Sequence, residues 1–239
     1  MNEQNDNDNN NAVSDEANDL LGHRSRLRER FLKGGEIAIA DYELLEMVLF
    51  AAKPRGDVKP LAKKLLKTFG SVAGVVQAKP ADLKAINGVG DAVVSSLKII
   101  ETCCKHLLKE QIYARPIINS WTSLLDYCRL NMENLAVEQF RILFLNTKNM
   151  LIADEVMNTG TIDHTIVYPR EILKRALELS ASSLIMVHNH PSGDPTPSKA
   201  DIDLTKQIAD AGLPFHIRVH DHLIIAKNKH YSFKGAGLL

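Results

Sequence analysis

LIMVHNHPSGDPTPSKAD, running from Leu184 to Asp201, is the stretch that decides the fold. Leu184-Ile185-Met186-Val187 is uniformly apolar. A strand of that texture is expected in the middle of a sheet covered on both faces. The three prolines (Pro191, Pro195, Pro197) and Gly193 that follow are loop residues that stiffen the chain and forbid a continuing strand. Ser198 and Asp201 then form an S-x-x-D start signal for a helix running to Ala211. The unit is strand, stiff loop, helix.

Working outward, Phe140–Leu145 (FRILFL) and Leu151–Met157 (LIADEVM) are short β-type runs. Asn146-Thr147-Lys148-Asn149 between them has hairpin chemistry. Glu171–Leu179 has the periodicity of an amphipathic helix, and Phe215–Ala226 predicts one or two strands. The order β-β-α-β-α-β specifies an α/β domain over residues 117–239, with helices flanking the sheet.

Upstream the texture is helical. Leu44, Leu45, Val48 and Leu49 share one helix face, and Leu61, Leu65, Leu66 and Phe69 repeat the pattern before Gly70. Lys79-Pro80-Ala81-Asp82 is a further helix start. Ile86-Asn87-Gly88-Val89-Gly90 is a glycine turn, after which Val93, Val94, Leu97 and Ile100 resume the helical period. Residues 23–112 therefore form a small all-α domain, with a linker around Gln111–Pro116. Residues 1–22 are rich in Asn and Asp, with no Lys or Arg, and cannot bury enough apolar surface to offset their ordering entropy; they are expected to be a disordered acidic tail.

Bulk properties exclude more than they assign. The 239 residues balance 29 Lys and Arg against 29 Asp and Glu, so net charge points to no partner class. The three cysteines, Cys103, Cys104 and Cys128, form no CxxC pair and fit neither a disulfide framework nor a thiolate metal site. No apolar run approaches the roughly 20 residues of a bilayer span. A signal-peptide pattern is missing. A cytoplasmic protein without membrane contact is the expectation.

The chemistry lies in the quoted stretch. Residues i and i+2 of a strand point to the same side, so His188 and His190 can present two imidazoles to one ion. The stiff loop returns Asp201, in the first helical turn, to the same point as a third ligand. Two imidazoles and one carboxylate suit Zn²⁺, and three protein ligands leave a fourth position for water, as in catalytic sites. The other reading of each piece is structural: Ser198 and Asp201 as a helix cap, the histidines as hydrogen-bonded strand-end residues. A second H-x-H, His220-Asp221-His222, precedes Leu223-Ile224-Ile225. It is read as buried structural polar residues, or a reserve source of ligands.

Activating water needs a base outside the ligand set. Glu155, an acid in an otherwise apolar strand, is the candidate. Its neighbour Asp154 is the alternative, because alternation does not tell which of the two faces inward.

H-x-H-x7-S-x2-D, as His188, His190, Ser198 and Asp201, resembles the JAMM motif of MPN-domain metalloproteases. HNHPSGDPTPSKAD, with GTIDHTIVYPREILKRAL upstream and VHDHLIIA downstream, is more closely similar to the bacterial RadC family, from Arg24 onward. The resemblance implies a C-terminal MPN fold, cytidine-deaminase-like, with a mixed sheet flanked by helices, behind a helix-hairpin-helix region. It implies one Zn²⁺ held by His188, His190 and Asp201, Glu155 as general acid and base, and Ser198 stabilising the oxyanion. The deaminase signature HxE with PCxxC is absent, which disfavours base deamination.

The glycine turn at Gly88 and Gly90 looks like a helix-hairpin-helix element that offers backbone N–H groups to a DNA phosphate. Between Lys53 and Lys109, eleven Lys and Arg face four Asp and Glu, a local charge of +7 that favours sequence-independent phosphate binding. The other reading is a solvated helical surface. Three functions stand at this level: a zinc peptidase or isopeptidase; a non-catalytic DNA repair or recombination accessory protein with a structural or vestigial zinc site; and a nuclease, disfavoured because no two-metal carboxylate cluster accompanies the motif.

Overall fold

The computed structural model describes residues 22–160 and 167–239. The expected acidic tail lies outside the described residues except for residue 22. Two compact units divide between Cys103 and Cys104.

The first unit is helical: α1 (22–34), α2 (Asp41–Ala52), α3 (Lys59–Phe69), α4 (Val72–Gln77), α5 (Pro80–Lys84) and the first half of α6 (Asp91–Ala114). The apolar positions read from the sequence form its core, with Leu45, Leu49, Leu65, Leu83 and Leu97 fully buried. Of the four arginines at the start of α1, Arg24 is buried. It donates to the carbonyls of Lys53, Pro54 and Gly56 at 2.8–2.9 Å, which ties α1 to the loop between α2 and α3. Gly88 turns the chain from α5 to α6 at φ +96°, a value that an L side chain rarely adopts.

In the second unit α6 continues to Ala114, four residues into the stretch read as a linker, because Ile112 is fully buried in this unit's core beside Ile117 and Leu124. There follow α7 (Trp121–Met132), β1 (Glu138–Leu145), β2 (Leu151–Gly160), α8 (Pro169–Glu178), β3 (Ser183–Asn189), α9 (Lys199–Gly212), β4 (Arg218–Ala226) and β5 (Lys229–Ser232). The five-stranded mixed sheet has the order β2-β1-β3-β4-β5, with only β3 and β4 parallel. The apolar strand read from Leu184–Val187 is thus central and buried along its whole length. The Phe215–Ala226 prediction resolves into a 3-10 turn at Leu213–Phe215 and the single strand β4. A short β5 follows.

Each sheet face has its own core. Leu143, Leu145, Ile185 and Val187 pack on one side with α7 and the end of α6. Phe140, Ile142, Phe144, Leu184 and Met186 pack on the other with residues of α8 and α9. This is the arrangement that the resemblance implies: a helical region followed by a mixed sheet flanked by helices.

Candidate metal centre

β3 carries His188 to the face shared with α8 and α9, opposite Phe140 of β1. The chain then leaves the sheet, but the His190 N–H still donates to the Ile225 carbonyl of β4 at 2.9 Å, holding the second histidine beside the first. Gly193 makes the next turn at φ +86°. Asp194 accepts from the N–H and hydroxyl of Thr196, which fixes the loop before α9. Ser198 is the N-cap of α9: its Oγ accepts from the Asp201 N–H at 3.1 Å, and its own N–H donates to Asp201 Oδ2 at 2.7 Å.

The loop therefore delivers Asp201 to the histidine pair. His188 Nε2 lies 3.0 Å from His190 Nε2 and 3.4 Å from Asp201 Oδ1, and His190 Nε2 lies 3.8 Å from Asp201 Oδ2. This is the group among the described residues whose donor atoms converge as a metal site requires. Ligands about 2.0–2.1 Å from a tetrahedral ion stand about 3.3 Å from one another. The observed separations bracket that spacing, so the three residues fit a small divalent metal. His188 is buried, whereas the His190 and Asp201 side chains keep 13% and 20% of their exposure, leaving the site open on their side. Burial pushes the His188 ring down to about 4; Asp201 opposes that shift and His190 adds to it.

Ser198 and Asp201 form the helix cap of the structural reading, and Asp201 also belongs to the converging group. The Ser198 hydroxyl donates to Asp201 Oδ2 at 2.7 Å, so its proton supports the ligand carboxylate. The two acids of β2 separate by face. Glu155 pairs with Ile142, on the His188 side of the sheet, and its carboxylate is held by the Arg175 guanidinium of α8 at 2.6–3.0 Å. Asp154 pairs with Leu143 on the opposite face, where Arg141 Nη1 donates to it at 2.6 Å and the Tyr127 hydroxyl also donates.

The structure places two more residues behind the converging group: His222, which the sequence offered as buried and polar or as a reserve ligand, and Thr205. His222, fully buried on β4, places Nε2 2.8 Å from His188 Nδ1 and Nδ1 2.6 Å from Thr205 Oγ1; Thr205 Oγ1 in turn lies 2.5 Å from the Asp201 carbonyl. His222 belongs to the second H-x-H and is no ligand here, because β4 places it behind His188. Nothing in the sequence marked Thr205 beyond its position four residues after Asp201.

Residues 118–238 match the RadC-like JAB domain family, and residues 20–95 match a family described as UPF0758 N-terminal. A UPF0758 protein of Rhodobacter capsulatus is 56% identical over 213 residues, spanning 89% of this chain and all of the relative. One from Ruegeria pomeroyi is 53% identical over 220 residues, spanning 92% of this chain and 98% of the relative. With the His-His-Asp group standing where the motif placed it, the chain belongs to the RadC-like JAB domain family.

Proposed function

We propose that this protein is a zinc-dependent hydrolase of amide bonds, a peptidase or isopeptidase, working from His188, His190 and Asp201. The observation that carries the reading is the convergence of two imidazoles and one carboxylate at ligand spacing, on a site open to solvent along one side. Bound there, Zn²⁺ supplies Lewis-acid polarisation of the scissile carbonyl and a water of lowered pKa. Glu155 is the general base and acid of the scheme, favoured over Asp154 because it stands on the ligand face of the sheet. To act, its carboxylate exchanges the Arg175 guanidinium for water and substrate. Ser198 holds Asp201 in place and offers its hydroxyl to the oxyanion once substrate is bound.

The test is metal content measured together with a peptide and isopeptide substrate screen. About one zinc per chain, hydrolysis by the native protein, and retained zinc with lost turnover in Glu155→Gln support the reading. One zinc per chain with no hydrolysis of any substrate replaces it with the accessory-protein reading and a structural metal.

A second reading concerns the helical unit. Gly88 makes the turn that a helix-hairpin-helix needs, a side chain at Gly90 would meet open space, and from Lys53 to the end of this unit nine Lys and Arg stand against four Asp and Glu, a local +5. We propose that this turn binds the backbone of duplex DNA. Duplex affinity should fall with rising salt and fall again on replacing Gly88 and Gly90; a salt-insensitive signal that survives the replacements overturns it. Three unbridged cysteines and the lack, among the described residues, of a helix fit to cross a membrane accord with a cytoplasmic setting.

A further inference from the structure

Two backbone carbonyls near the metal centre fix the direction of every hydrogen bond behind it, because a carbonyl can only accept. Thr205 has one hydroxyl proton, and the Asp201 carbonyl, 2.5 Å away, takes it. Thr205 Oγ1 is then an acceptor toward His222, so the proton between them, across 2.6 Å, sits on His222 Nδ1. A neutral imidazole carries one N–H, which leaves His222 Nε2 bare. The 2.8 Å contact from His188 Nδ1 must therefore be N–H donating to His222, and His188 Nε2 is bare in turn. On the outer side, the Asp194 carbonyl accepts from His190 Nδ1 at 2.7 Å, which bares His190 Nε2 as well. The two bare nitrogens face each other at 3.0 Å, beside the Asp201 carboxylate.

We infer that His222 and Thr205 are positioning residues of the metal centre: they lock His188 in the Nδ1–H tautomer, turn its Nε2 lone pair to the ion, and link that tautomer to the helix turn that carries Asp201. The inference rests on the metal reading of His188, His190 and Asp201. It adds that the second H-x-H serves the first from behind. His222 is held for this task by Phe233, whose ring stacks on it at 4.6 Å between centroids, and by the Phe140 edge contact at 5.8 Å. An orienting partner on the remote nitrogen of a ligating histidine typically accounts for 10–100-fold in metal affinity.

The experiment measures zinc affinity by chelator competition in the full chain, with variants chosen by hydrogen-bonding capacity. Thr205→Val keeps the shape and removes the hydroxyl; it should weaken zinc 10–100-fold. Thr205→Ser should restore affinity. His222→Leu, which removes the acceptor, should weaken zinc similarly, and His222→Gln, whose amide oxygen can accept from His188, should recover most of the loss. Imidazole ¹⁵N spectra of the unmutated protein provide a second measurement that needs no variant: His188 and His222 should both appear as Nδ1–H tautomers. Zinc affinity within twofold of native in both Thr205→Val and His222→Leu overturns the inference, as does an Nε2–H tautomer at His188. Either result leaves the ligand set standing, whereas full zinc content in His188→Ala would remove the metal reading itself.

Discussion

The two faces of the β sheet each hold a cluster of polar groups, and the clusters have opposite designs. Behind α7, Asp154, Arg141 and Tyr127 close on one another: the carboxylate takes the guanidinium and the phenol, with side-chain exposures of 4% for Asp154 and 14% for Arg141. Burial next to Asp154 pushes the Cys128 thiol up to about 12 and raises the Tyr127 phenol, so neither is a nucleophile at neutral pH. Beneath α8 and α9, His188, His190 and Asp201 instead point acceptor atoms at one another, while Asp201 Oδ2 takes the Ser198 N–H and hydroxyl. A closed cluster neutralises its own charge; a convergent one requires a cation to do so. One sheet thus carries a charge-paired polar cluster and a convergent His-His-Asp group, told apart by whether opposite charges meet.

That contrast can be broken most severely at the ligands. His190→Ala should take bound zinc from about one per chain to near none while leaving the fold intact; metal analysis of the purified variant decides it, and full retention would place the ion elsewhere. Next come the two adjacent acids of β2, which should behave as members of different sites. Glu155→Gln should lower turnover by about 10²–10⁴ with zinc unchanged. Asp154→Asn should leave both zinc and turnover near native but destabilise the fold by about 3–5 kcal/mol, since it strands Arg141 in the interior. Kinetics and urea denaturation of the pair test this, and an exchanged pattern would invert the assignment of the two faces.

Acid should act on the convergent site. In the metal-free protein burial keeps His188 and His222 neutral below their ordinary value of 6.5, His188 to about 4. The unfolded chain therefore binds protons first as pH falls, and the stability present above about 6.5 is lost progressively toward about 4. Urea midpoints at pH 7.5 and 5 in the presence of chelator should show the drop; equal midpoints would mean the rings titrate normally. In stability, the smallest effect is expected from Ser198→Ala, about 1 kcal/mol for the lost cap, with a modest fall in zinc affinity because Asp201 Oδ2 loses a donor and a fall in turnover of about 10²–10³ for the lost oxyanion donor. Thermal unfolding with and without zinc separates the two contributions.

Much of this site was legible because its signals are local. His188 and His190 are two residues apart, Asp201 starts a helix whose cap is written in the sequence, and the proline-rich loop between them has few ways to run. Leu184–Val187 named the central strand because only a strand buried on both faces tolerates such a run. What resisted reading lay across the sheet. The choice between Asp154 and Glu155 depends on the pairing of Ile142 and Leu143 with β2, interrupted by two register shifts, so counting residues along β2 could not supply it. The end of the helical region was also hidden, since α6 runs into the apparent linker to bury Ile112 in the second unit.

The sequence by itself determined the His-His-Asp group, the cap, the strand-loop-helix unit and the helical texture of the first unit, because each rests on interactions within a few residues. Only the tertiary structure decided which acid faces the ligands, that Arg175 holds it, and that His222 and Thr205 stand behind His188. Those facts come from strand register and from the packing of α8 and α9 on the sheet, where partners 17 to 34 positions apart meet. Chain-local patterns carry no record of such contacts.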